Sequence, residues 1–153
     1  MNDSNQSRVE LRKIESVVFI CRDGFSELGL SYVGAKVVHS KVAGDSETFT
    51  FRNPGNGIGV EINIFPGLNE RNRGFVAIIT RRDGSALNLN EYLRVHGRED
   101  ISKRFTNDAP VADIAPFVEA NLETLLKLLS TDLRDIIDGV RWESVPIDWK
   151  GYR

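Results

Sequence analysis

Two histidines, one cysteine and a scatter of acids are the residues in this chain whose types bear on chemistry. Nucleophilic catalysis would need Cys21, or a serine, beside His39 or His96 with an acid to orient the ring. Cys21 instead continues the three-and-four spacing of Leu11, Ile14 and Val18, and a free cysteine in such a stripe is ordinarily a core residue. No Gly-x-Ser-x-Gly elbow occurs. Cys21, His39 and His96 make no pair at the spacing of a zinc ligand set, so no metal site is expected. Asp132, Asp135 and Asp138 recur every third residue along a helix and lack the central glycine and ligand pattern of a calcium loop.

Gly55-Asn56-Gly57-Ile58-Gly59 invites comparison with a phosphate-binding loop. Its glycines precede a strand, whereas a dinucleotide fingerprint follows one and opens a helix, so turn chemistry explains them and no cofactor is expected. Arg81-Arg82 and the Arg71/Arg73 pair bracket a strand without the interleaved aromatics of a single-strand binder, so nucleic acid is not expected as a partner. Paired carboxylates cannot be recognised from spacing; Glu61 is the one acid central to a strong strand, at an outward position. The expectation is a protein that is not an enzyme.

The charge distribution gives a different indication. Residues 1–90 carry 11 Lys/Arg and 10 Asp/Glu, while residues 91–148 carry 7 and 12. An acidic C-terminal half repels phosphate backbones and leaves room for a basic protein. Glu119, Glu123, Asp132, Asp135 and Asp138 are expected to project from helices as a partner-binding surface, with Trp142 and Trp149 as aromatic anchors. The competing account makes the acids a solvated face and folds the aromatics back over a core edge.

Such residues need elements to hold them. The strand expected at the centre is Gly57 to Phe65, where Ile58, Val60, Ile62 and Ile64 alternate with Gly59, Glu61 and Asn63. Before it, Ser46 to Arg52 alternates Thr48 and Thr50 with Phe49 and Phe51, and Asn53-Pro54-Gly55-Asn56-Gly57 joins the two as a hairpin. Ala35 to Val42 reads as an earlier strand followed by a Gly44-Asp45 turn, and Phe75 to Arg81 as a later one followed by the tight turn Asp83-Gly84. Connections this short cannot carry parallel crossovers, so the sheet is antiparallel.

Helices lie outside the strands. The first runs from about Ser7 to Arg22 with Gly24 as its stop, although Val17 to Ile20 also fits a strand. Asn88 caps a short helix, Leu89 to His96, ended by Gly97; Arg98 to Ala109 reads as an irregular surface connection. Ile114, Phe117, Val118, Leu122, Leu125, Leu126 and Leu129 define the longest apolar stripe. Thr131 is placed as the cap of a further short helix carrying Leu133, Ile136 and Ile137, stopped by Gly139.

At 153 residues, 41% hydrophobic and 27% charged, the chain fits one domain spanning 1–153. The fold class is α+β: an antiparallel meander of four to five strands with an N-terminal helix and C-terminal helices packed on one face. No apolar run approaches the ~20 residues of a membrane span, the first residues lack the pattern of a secretory signal, and the lone cysteine fits a reducing cytoplasm. No membrane partner is expected, and the oligomeric state is open.

The layout resembles small bacterial immunity proteins of polymorphic-toxin and contact-dependent growth-inhibition systems. The resemblance rests on the leading helix ending in Gly24-Phe25, the strands through Ile58–Ile64 and Phe75–Ile79, the Asn88–Leu93 segment and the closing Leu122–Leu129 helix. It implies a non-enzymatic protein that neutralises a cognate toxin domain, often a basic nuclease, by direct contact in the cytosol. No shared motif exists from which binding residues are carried over. The alternative is a small-molecule-binding or catalytic α+β domain with a pocket between sheet and helices.

Overall fold

A computed structural model describes residues 3–39, 45–65, 73–107 and 114–144. The chain begins with helix α1 (Asp3–Glu27) and continues through strands β1 (Ser31–Val38), β2 (Ser46–Arg52), β3 (Gly59–Phe65), β4 (Arg73–Thr80) and β5 (Ala86–Asn88). Helices α2 (Leu89–Val95) and α3 (Glu99–Phe105), the two-residue strand β6 (Thr106–Asn107), and helices α4 (Ile114–Ser130) and α5 (Arg134–Ile137) complete it. The five consecutive strands form an antiparallel meander in the order β1-β2-β3-β4-β5, and the protein is a single-domain α+β fold.

The alternation expected of the central strand holds. Ile58, Val60, Ile62 and Ile64 are buried. They share the helix-covered face with Phe49 and Phe51 of β2 and with Phe75, Ala77 and Ile79 of β4, the residues opposite them in the ladders. The other face carries Thr48, Thr50, Glu61, Asn63, Val76 and Ile78, all half-buried. Thr48 donates across it to the Asn63 side-chain carbonyl.

The hairpin at 53–57 is built as its residues suggest. Asn53 Oδ1 accepts from the backbone amides of Gly55 and Asn56, and Asn56 Oδ1 accepts from that of Ile58. Asn56 also donates to the Ile137 carbonyl at 3.0 Å, which ties this turn to α5.

Helix α1 runs past its expected end. Gly24 lies inside it, and its role is close approach: a Cβ there would meet Leu126 Cδ1 of α4 at 2.8 Å. The stop is Gly29, at φ +82°. Leu30 N–H bonds to the Phe25 carbonyl and Gly29 N–H to that of Ser26, the paired bonds of a Schellman termination, with Phe25 and Leu30 both buried. Phe25 is therefore helical core, stacked on Phe51 at 4.0 Å, rather than the start of extended chain.

Two further expectations are corrected. The charged stretch after Gly97 contains α3, which buries Ile101 and Phe105 four residues apart, and β6, which pairs with Arg73 and Gly74 of β4. Thr131 does not cap α5; its hydroxyl bonds back to the Lys127 carbonyl at 2.6 Å, closing α4 instead. Asn88 caps α2 as expected, accepting from the amides of Asn90 and Glu91, while the Glu91 carboxylate is held by Arg94 at 2.8 Å.

The two margins of the sheet differ. On the far side of β4, β5 pairs at one end and β6 at the other, with α2 and α3 packed against the strand. On the opposite margin β1 pairs with β2 alone among the described residues. A register shift between Tyr32 and Gly34 marks a bulge at Val33, a common device on an open edge.

Candidate functional site

The residues expected to bind a partner fall into two groups. Glu119 and Glu123 are exposed on α4, close enough to Cys21 that their charges, after burial itself, raise its thiol pKa. That thiol is half-buried against the core and is held in its unreactive neutral form. Asp132, Asp135 and Asp138 lie at the α4–α5 corner, each with an arginine nearby: Arg98 at 3.1 Å, Arg141 at 4.0 Å and Arg134 at 2.9 Å. Trp142 packs against the core beneath the Arg81 guanidinium, 4.4 Å from its ring centre. Trp149 lies outside the described residues.

Each histidine is engaged by an acid. His39 Nδ1 is 2.8 Å from Asp45, and His96 Nε2 is 2.6 Å from Glu143 with its ring stacked on Tyr92. Among the described residues no three His, Cys, Asp or Glu side chains converge as a metal ligand set. Arg81 bonds to Asp83, and Arg82 bonds to the Pro54 carbonyl across the turn. No helix among the described residues is long and apolar enough to cross a membrane.

A cleft of about 480 Å³ opens instead between α1 and the β1–β2 hairpin. One face of α1, at the helical spacing i, i+3, i+4, i+7, supplies Glu15, Val18, Phe19 and Arg22. From the sheet come Tyr32, Ala35 and Val37 of β1, and Glu47 and Phe49 of β2. Val18 and Phe49 are buried and form its apolar floor, while Phe19, Tyr32 and Val37 stand exposed at its rim. Arg22 lies over the Phe19 ring at 3.9 Å and, among the described residues, has no carboxylate partner.

Glu47 is the unusual member. It has the same strand parity as Phe49 and Phe51, so it turns to the helix side of the sheet, where it is 2% exposed. Among the described residues its Oε2 has no hydrogen-bond donor, and the group that faces it is a second carboxyl, Glu15. Burial, then a hydrogen bond shared with Glu15 and the repulsion of its charge, push the Glu47 pKa up to about 8. Near neutral pH Glu47 therefore holds its proton. A buried acid with a displaced pKa in a cleft marks a candidate site.

The signal was present in the sequence. The alternation of Glu47, Phe49 and Phe51 places an acid on the same face as two core aromatics. Glu61, the acid that stood out by its central position, faces the open side of the sheet between Thr50 and Ile78.

Fold and site together define a small α+β protein with an acidic, apolar-walled cleft beside an open sheet edge. Comparisons with protein-family models, curated proteins and solved structures find no match.

Proposed function

We propose that this chain is a non-enzymatic binding protein that takes up one protein partner on the face formed by α1 and β1, in the manner of an immunity protein neutralising a cognate toxin in the cytosol. The observation that supports this is an eight-residue edge strand exposed along nearly its whole length, beside an exposed helix face. Tyr32 and Val37 on β1 share the cleft with Phe19 of α1, which is 59% exposed; Val33 and Val38 stand on the open face of the same strand, and Ile20, 77% exposed, is the next residue of α1. Open edges bind partner chains by strand addition, and apolar side chains flanking them set the choice of partner.

The proposal expects a toxin domain encoded beside this chain, and the test is co-expression with it, read as growth protection and as a co-purified complex. Phe19→Asp and Ile20→Asp alter exposed positions and leave the melting temperature unchanged; both are expected to abolish protection. Failure of the neighbouring toxin domain to bind, or binding indifferent to both substitutions, overturns the proposal.

A second reading, a small-molecule-binding or catalytic domain, draws support from the same cleft, because a carboxyl held neutral at pH 7 is suited to proton donation. It expects the cleft to take up uncharged small ligands such as n-butanol as readily as cations.

A further inference from the structure

We infer that the cleft between α1 and the β1–β2 hairpin is a receptor for one basic side chain. The ammonium or guanidinium head of a partner lysine or arginine passes between Phe19, Tyr32 and Val37 to reach the Glu47 and Glu15 carboxylates. This rests on the reading of the α1–β1 face as the partner surface, and it names the chemistry that surface selects.

Three observations carry it. First, Glu47 lines the cleft yet is almost wholly buried, and one of its oxygens lacks any donor. A buried acceptor left unpaired is costly, and a cation is the group that can take the place of the proton Glu47 shares with Glu15. Second, the chain does not supply that cation among its described residues. Arg22, the one cation lining the cleft, is stacked over Phe19, and neither Glu15 nor Glu47 has an ion pair. Third, six of the nine residues lining the cleft are apolar or aromatic, which matches the methylene stem that lysine and arginine bury while their heads find a charge. The volume, about 480 Å³, lies in the range of sites that enclose a ligand group.

Glu15 of α1 is the charged group that acts on Glu47, while Arg22 of α1 and Tyr32 of β1, which stands opposite Phe51, line the same cleft. Entry of a cation favours the ionised form of Glu47, so the proton it holds leaves to solvent while the incoming head keeps its own. Binding therefore strengthens as pH rises toward 8.

The experiment uses the full chain with n-butylguanidinium and n-butylammonium as probes, followed by NMR of the side-chain carboxyl carbons and backbone amides. The expected result is a saturable shift at Glu15, Phe19, Glu47 and Phe49, about fifteenfold tighter at pH 8 than at pH 6.5 from the ionised fraction of such an acid. The shift should be absent in Glu47→Gln and weakened in Glu15→Gln. n-Butanol binding as well as n-butylguanidinium, or Glu47→Gln binding the cations unchanged, overturns the inference. The two proposals fail separately. If the neighbouring toxin domain does not bind but the probes do through Glu47, the cation site stands, with a free amine as its source, and the partner reading falls. If the toxin domain binds Glu47→Gln as it binds the natural chain and the probes do not bind, the partner reading stands and the cation site falls.

Discussion

Replacing Glu47 with glutamine keeps the length and shape of the side chain, removes its charge, and provides an amide that donates to Glu15. The natural side chain is held with a pKa near 8 against an ordinary value of 4.5. Below pH 4.5 the folded and unfolded chains both carry the proton. Between 4.5 and 8 the unfolded chain releases it and the folded chain retains it, so stability falls as pH rises through that window. At 1.36 kcal/mol per unit the displacement sets a ceiling of about 5 kcal/mol at pH 8. The cleft is open to solvent on one side, and an effective dielectric near 20 brings the expected cost to about 2 kcal/mol. Glu47→Gln escapes that cost. Thermal unfolding of both proteins from pH 5 to pH 9 should show melting temperatures that nearly coincide at pH 5 and separate to about 4–8 °C in favour of the variant at pH 8. A separation that does not change with pH, or a variant less stable at every pH, would refute the account of Glu47 as a buried, proton-holding acid.

Three further outcomes follow from the packing. Asn88→Ala removes the side chain that caps α2 and should cost about 1 kcal/mol in urea unfolding. Gly29→Ala forces a side chain into a left-handed conformation at the end of α1 and should cost about 1–2 kcal/mol, whereas an alanine at an exposed α1 position such as Ser16 should be neutral within about 0.5 kcal/mol. Ile62→Ala empties space at the centre of the sheet and should cost about 2–5 kcal/mol, measured by the shift of the denaturation midpoint.

Where local physics and tertiary packing agree, the sequence reads cleanly. The period-two run from Ile58 to Ile64, the Asn53–Gly57 turn, the Asn88 cap and the apolar stripe of α4 all carry their own explanation, and each is found as expected. The misreadings occur where one residue type serves two purposes. Glycine ends helices, so Gly24 was the natural stop; here it clears space for Leu126, and termination falls to Gly29, whose bonds to Phe25 and Ser26 need a tertiary setting. In the 99–105 segment the charges outweigh the pair Ile101 and Phe105, so a helix buried on one side only reads as a loop. Thr131 is a cap residue by type, yet it serves the helix before it. The cleft was hidden for another reason. The parity of Glu47 is visible in the sequence, but that Glu15 of α1 faces it depends on how helix and hairpin pack, which no spacing encodes.

The unequal margins of the sheet also limit how this protein assembles. Among the described residues, β5, β6, α2 and α3 cover the β4 side of the sheet, and β1 leaves one place for another strand. A subunit with one open place has a valence of one: it forms a one-to-one complex, or pairs with a copy of itself about a two-fold axis, and then stops. Filaments need two complementary places on every subunit. Under the proposed reading, the exposed valines of β1 serve recognition at that one edge.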